Sequence, residues 1–211
     1  MGSPWKPSTF FGEVAKARIK EIVAELELGS AVEVVVAVHP RSGNYRETEY
    51  LLGCVFAMMW LAFFLYYPDP FDFTFLPLEM MGAFAAGALV VRAVAPVKRC
   101  LTPRAVMARE VDRAAKAAFY DLSIARTRAR TGVLVFVSVL EGSARVVKDV
   151  GVPRIEGLST LAPRLDQAVR RGDIRSFTGL LGSLAATWTK ALPKRADDIN
   201  ELPDAPIQAG R

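Results

Sequence analysis

Two apolar runs near the middle of the chain restrict its fold more than any other feature. From Tyr50 to Tyr67 the sequence reads YLLGCVFAMMWLAFFLYY, without a charge, and from Leu76 to Val97 it reads LPLEMMGAFAAGALVVRAVAPV, where only Glu79 and Arg92 ionise. Each run approaches the roughly 20 residues that a helix needs to cross a hydrocarbon layer about 30 Å thick. A chain of 211 residues offers no core large enough to hide both, so lipid is their expected surrounding. The joint PDPFDFTF, with Pro68 and Pro70, is too short for a domain and predicts the tight turn of a transmembrane hairpin. Trp60, Tyr66 and Tyr67 suit interfacial or lipid-facing positions, and Glu79 and Arg92 fall near the ends of the second run, where a charge costs least.

The flanks predict an orientation. Arg41 and Arg46 precede the first run, Lys98, Arg99 and Arg104 follow the second, and the turn carries only Asp69 and Asp72. By the positive-inside rule this is a two-pass protein of the inner (plasma) membrane with both termini cytoplasmic. The first residues show no apolar signal-peptide core, and Lys6 stands where a myristoylation motif needs Ser or Thr. The net charge of +5 is largely accounted for by the juxtamembrane cations, each worth about 1 kcal/mol against anionic lipid. With no groove-reading motif or stacking platform beside that charge, nucleic acid is not an expected partner. The expected partners are the lipid bilayer and membrane or cytoplasmic proteins. Cys54 falls within the first run and Cys100 just past the second, and no structural disulfide is expected in a reducing cytoplasm.

On either side of the hairpin, helical and strand patterns alternate. EVAKARIKEIVAELELG places Val14, Ala15, Ile19, Ile22, Val23 and Leu26 on one helical face, with Gly29 available to end it. Ala31 to Val38 is a nearly continuous β-branched run, as in a strand buried on both faces. After the hairpin, Met107, Val111, Ala114, Ala118 and Leu122 recur at helical spacing within a stretch from Pro103 to Gly132. Two strands follow, Val133–Leu140 and Ala144–Gly151, joined by a short turn. Two helical stripes come next, Leu158, Leu161, Leu165 and Val169, then Ile174, Phe177, Leu181, Leu184 and Trp188, with Asp173 as an N-cap for the second. Residues 194–211 are polar, without a periodic face, and are expected to lie extended or disordered.

Too few elements stand on either side of the hairpin to close a core alone, so residues 1–49 and 98–193 should combine into one cytoplasmic α/β domain, with residues 50–97 inserted as an anchor. Such an insertion costs little when its ends already lie close together.

Catalytic motifs are absent: there is no GxGxxG, P-loop, HExxH or CxxC. His39 is the sole histidine and lacks companions at ligand spacing, and Ser138 sits inside a strand with no evident base, so both read as structural. Three carboxylates mark strand ends or interiors. Glu141 belongs to the hairpin end of its strand pair and Asp149 to the opposite end, so those two should not share a metal ion. Glu33, if buried, needs a partner such as Arg145 or Lys148. Arg126, Arg128 and Arg130 approach a helix C-terminus, where the dipole favours cations, or else contact an anion or a lipid headgroup.

The stretch RTGVLVFVSVLEGSARVVKDVGV resembles the TPM domain, found in thylakoid acid-phosphatase-like proteins and in many bacterial membrane proteins. ELGSAVEVVVAVHPRSGNYRE is similar to that domain's first helix-to-strand segment, with Glu33 opening the strand and Tyr45 and Arg46 following it. GDIRSFTGLLGSLAATWTKALP resembles its last helix, and NELPD a tail of the short, membrane-anchored bacterial members. The resemblance implies an α/β/α sandwich around a small mixed sheet, interrupted here by the transmembrane helical hairpin. An anchor joined to a compact domain without a convincing active site predicts a protein-binding module for assembly or maintenance of membrane complexes, whereas the resemblance implies a divalent-metal-dependent phosphatase using calcium or magnesium with Glu33 or Asp149 among the ligands. The chain departs from the family's charged turn after Glu141, where it has Gly142, Ser143 and Ala144.

Overall fold

The computed structural model describes residues 12–67, 73–153, 158–194, 202 and 205–208. The chain divides into two units, one of residues 1–42 with 108–211 and one of residues 43–107.

The first unit is built on a sheet whose central strands are the two β-branched runs. Strand β1 (Glu33–His39) lies parallel to β2 (Gly132–Ser138), with Glu33 opposite Gly132 and His39 opposite Ser138. Strand β3 (Ser143–Lys148) returns antiparallel to β2, and a two-residue strand, β4 (Ile207–Gln208), lies parallel to β1, so the order is β3-β2-β1-β4. This is an α/β fold around a small mixed sheet. The predicted tail therefore contributes a strand, although Ile207 and Gln208 alone carry no pattern that would announce one.

Both faces of the sheet are covered, which explains why β1 and β2 do not alternate in polarity. Even-numbered Val34, Val36 and Val38 and odd-numbered Val133, Val135 and Val137 share one core with Ile19, Val23 and Leu26 of helix α1 (Glu13–Gly29). Leu165 and Val169 of α6 (Leu158–Arg171) and Phe177, Leu181, Leu184 and Trp188 of α7 (Ile174–Ala191) complete it. The opposite core joins Val35, Ala37, Leu134 and Phe136 to Ile124 and to Val111, Ala115, Ala118 and Phe119 of helix α5 (Arg104–Asp121). The Asp173 cap forms as expected, its carboxylate accepting from the Ser176 N–H at 3.0 Å.

Two helical expectations need correction. Val14 is 82% exposed; at about 100° per residue it lies well around α1 from the centre of the stripe formed by Ile19, Ile22, Val23 and Leu26. The helix begun near Pro103 ends at Asp121: Ser123 takes the left-handed conformation at φ 57°, and a 3₁₀ turn, Ile124–Arg126, follows. This turn drops fully buried Ile124 onto Gly132, where a β-carbon would stand 2.5 Å from the Ile124 carbonyl oxygen. Arg126, Arg128 and Arg130 thus lie beyond the end of α5, and the helix-dipole argument does not apply to them.

In the second unit, α2 (Arg46–Tyr66) and α3 (Leu76–Ala93) pack antiparallel. Their backbones approach closely at two glycines: a β-carbon on Gly53 would lie 2.9 Å from the Phe84 carbonyl oxygen, and one on Gly87 would lie 2.7 Å from that of Leu52. Small residues at such crossings permit the close packing on which helices in lipid depend. Nearer the turn, Trp60 Nε1 donates to Glu79 at 3.1 Å, so the one carboxylate within the apolar part of α3 has a partner on α2. The segment after Tyr67, predicted as the turn with Pro68, Asp69, Pro70 and Asp72, lies outside the described residues.

Both helices are long and apolar enough to cross a membrane, each with a mean hydropathy of 1.7 over its best window. The second stops at Ala93, short of the expected Val97, because Pro96 opens a separate short helix, α4 (Ala95–Leu101). Lys98, read from the sequence as a flanking cation, lies on α4. It is buried and paired with Glu49 at 2.6 Å, beside a hydroxyl pair of Thr48 and Thr102 at 3.1 Å. Arg41, Arg46 and Arg104 are exposed, and Arg99 is half-buried.

Candidate functional site

Parallel β1 and β2 end side by side, and open α/β sheets place ligands beyond such carboxyl edges. Because His39 and Ser138 are register partners, their side chains emerge on the same face. The backbones stay together past the strands, with Val139 N–H donating to the His39 carbonyl and Leu140 N–H to that of Pro40, both at 2.9 Å. The chain then turns toward β3, with Gly142 in the left-handed region at φ 61°. Glycine accepts that conformation without steric cost.

This turn carries Glu141 back over the strand ends. Ser42 Oγ donates to Ser138 Oγ at 2.7 Å, Ser138 Oγ donates to Glu141 Oε2, and the Ser42 backbone N–H donates to Glu141 Oε1 at 2.9 Å. Ser138 is fully buried and Glu141 is buried, while Ser42 is half-buried. Both oxygens of one carboxylate therefore hold the loop that leaves β1, one through its amide and the other through a pair of hydroxyls.

His39 completes the cluster. Its ring lies 4.6 Å from that of Phe136, and Nε2 is enclosed with no hydrogen-bond partner among the described residues. Burial pushes its pKa below the usual 6.5, and the Glu141 charge only partly opposes this, so the neutral imidazole is favoured. Chemically, the arrangement is a hydroxyl chain ending in a carboxylate, beside a neutral ring. It clamps the β1 exit loop.

Sequence reading had placed Ser138 inside a strand without a base, yet its base stands three residues on. Strand β2 ends at Ser138 and not at Leu140, and the intervening turn is what brings Glu141 back. Ser42 has no such local signal, since its partners lie 96 and 99 positions away.

The other expected residues gather at the opposite edge. Glu33, Gly132 and Asp149 form a row across three strands, with Asp149 N–H donating to the Gly132 carbonyl at 2.9 Å. Glu141 and Asp149 thus occupy opposite ends of the β2–β3 pair, as their spacing predicted. Asp149 is buried, accepts from the Val150 N–H at 2.7 Å and lies 2.9 Å from Arg130 Nε. Buried Glu33 accepts from the Leu202 N–H at 3.2 Å. Its expected partners are engaged elsewhere: Arg145 with Asp112 at 2.5 Å and Asp166 at 3.5 Å, and Lys148 with the Val152 carbonyl at 2.6 Å. The sheet order explains this, because β2 separates β3 from β1.

Glu33 and Asp149 share an edge and a face, but Ile124 fills the space above the intervening Gly132. No cluster of three or more His, Cys, Asp or Glu side chains suited to a metal ion occurs among the described residues. Of the loop arginines, Arg130 is committed to Asp149, while Arg126 and Arg128 are exposed.

No family model matches the chain, and no curated protein does. The fold is similar to that of BA42 from the psychrophilic bacterium Bizionia argentinensis, solved by NMR, with a TM-score of 0.55 over 94% of each chain at 14% identity. A likeness at that identity concerns the fold alone.

Proposed function

We propose that this protein is a membrane-anchored α/β module that binds other proteins at the inner membrane, held there by α2 and α3 as a two-pass hairpin with both termini cytoplasmic. The observation that carries this reading is the surface of the hairpin. Its interior contacts are closed by Gly53, Gly87 and the Trp60–Glu79 bond, yet Leu51, Met58, Met59, Leu65, Leu78, Met81 and Leu89 are each at least 60% exposed. An apolar surface so continuous needs lipid or protein against it.

The α/β unit supports a binding role more than a chemical one. Glu141 and Asp149 both hold loops, and Glu33 accepts a backbone N–H, which leaves each carboxylate engaged in structure. Deleting residues 46–93 should move the protein from carbonate-resistant membranes to the soluble fraction and abolish crosslinked partner recovery; unchanged localisation and recovery would refute the anchor. A reporter fused after Arg211 and active only outside the cytoplasm would refute the orientation.

A second reading is a divalent-metal-dependent phosphatase, favoured by the placing of Glu33 and Asp149 in one row on one face. It requires calcium-, magnesium- or manganese-dependent hydrolysis of a phosphomonoester that is lost on Glu33→Ala or Asp149→Ala. Turnover that is absent, or unchanged in both variants, rejects it.

A further inference from the structure

Among the described residues, the outer edge of β1 is closed by separate short pieces of the chain. Glu33 N–H donates to the Thr131 carbonyl on the β2 side, whereas Val34 N–H donates to Glu27 Oε1 at 3.1 Å. Peptide groups alternate along a strand, so Val34, Val36 and Val38 face outward, away from β2. At one end the buried Glu27 carboxylate occupies this edge, and at the other, among the described residues, Ile207 and Gln208 alone pair with it, opposite Ala37 and Val38. Leu202 and Ile207 make further contacts there: the Leu202 N–H donates to Glu33 Oε2 at 3.2 Å, and both side chains pack, partly buried, against the α5-side core.

A seven-residue strand paired on its outer side, among the described residues, with a two-residue one presents a ready template for another extended backbone. We infer that Leu202, Ile207 and Gln208 act as an internal stand-in for a partner, and that the β1 edge receives an extended segment of another protein, parallel to β1, once they are displaced. The inference rests on the binding-module reading and specifies its recognition surface. The contacts of the stand-in define the chemistry of the partner. It needs an unblocked backbone N–H to reach Glu33 and two apolar side chains five positions apart to replace Leu202 and Ile207. It should carry no charge at either apolar position, because both pack against the core.

The test uses the full-length chain in lipid nanodiscs and a labelled peptide of the sequence ELPDAPIQA, read by fluorescence anisotropy. Tethered Leu202, Ile207 and Gln208 compete at an effective concentration in about the millimolar range. Wild type should therefore bind the peptide at least tenfold more weakly than the Leu202→Asp/Ile207→Asp variant, in which the tether is expelled. Adding Glu33→Ala to that variant should return binding toward the wild-type level.

A folded variant that binds no better than wild type overturns the inference. Should the variant fail to fold, hydrogen exchange on the wild type decides: outward Val36 and Val38 amides should exchange at least tenfold faster than the Val35 and Ala37 amides facing β2, and equal protection overturns the proposal. A partner crosslinked equally by wild type and released variant in membranes would refute the edge inference and leave the anchored module standing.

Discussion

Replacing Glu141 with alanine tests whether one carboxylate holds the exit of β1. The substitution removes the acceptor of the Ser42 amide and of the Ser138 hydroxyl. A buried donor left without a partner costs about 1–3 kcal/mol. Fully buried Ser138 keeps the Ser42 hydroxyl at 2.7 Å as a partner and should lose about 2 kcal/mol, while half-buried Ser42 can recover a water and should lose about 1 kcal/mol. The expected loss is therefore about 3 kcal/mol, which for a chain of this length corresponds to a Tm lower by about 6–12 °C. Ser138→Ala removes one hydroxyl and leaves the carboxylate its amide bond, so it should cost only about 1 kcal/mol. Thermal unfolding can be followed through buried Trp188 in a background where Trp5 and Trp60 are phenylalanine, which confines the signal to the α/β unit. A double-mutant cycle should give a coupling of about 1 kcal/mol or more between Ser138 and Glu141. If Glu141→Ala falls within about 0.5 kcal/mol of wild type, the ordinary range for an exposed surface change, the clamp does not exist.

Gly132→Ala places a methyl group 2.5 Å from the Ile124 carbonyl oxygen and should destabilise by about 1–3 kcal/mol, whereas Gly179→Ala in α7 enters open space and should stabilise by up to about 1 kcal/mol; melting both variants checks the contrast. His39, with a pKa depressed by burial, binds its proton more readily when unfolded, so stability should rise with pH through the window just below 6.5 and level off above it. The slope from this one group cannot exceed about 1.4 kcal/mol per pH unit and should vanish from that window in His39→Asn, which melts between pH 5 and 8 would reveal. Lys98→Ala leaves Glu49 without its 2.6 Å partner and should lower hairpin stability more than the Lys98→Ala/Glu49→Ala pair does, a difference that steric-trap unfolding in micelles would measure.

The fold was legible where a short-range pattern carried it. The β-branched runs at 34–38 and 133–137 announced buried strands, and the stripe Phe177, Leu181, Leu184 and Trp188 announced a helix whose buried side matches it. What escaped depends on distant partners. Nothing near Ile124 signals that it must reach the core beneath α5, and that requirement ends the helix nine residues before Arg130. Lys98 reads as a flanking cation until Glu49, a full hairpin away in sequence, is found beside it. The site was legible in part, since the opposed ends assigned to Glu141 and Asp149 followed from strand pairing. Its hydroxyl chain was not, because extending β2 by two residues hid the turn that returns Glu141 to Ser138.

The pairing of β1 with β2 also sets a timetable. Ser42 and Glu141 are separated by 99 positions, and the hairpin occupies most of the interval. At a synthesis rate of about 5–20 residues per second, β1 waits roughly 5–20 s for the strand that covers its inner edge. Throughout that wait both edges of a strand with five apolar residues in succession, Val34–Val38, are open, while the two long apolar helices emerge. On the anchored reading proposed above, delivery of the hairpin to the bilayer precedes closure of the sheet, and anything that delays β2, such as a run of slow codons between residues 108 and 132, lengthens the period in which β1 can pair with the wrong chain.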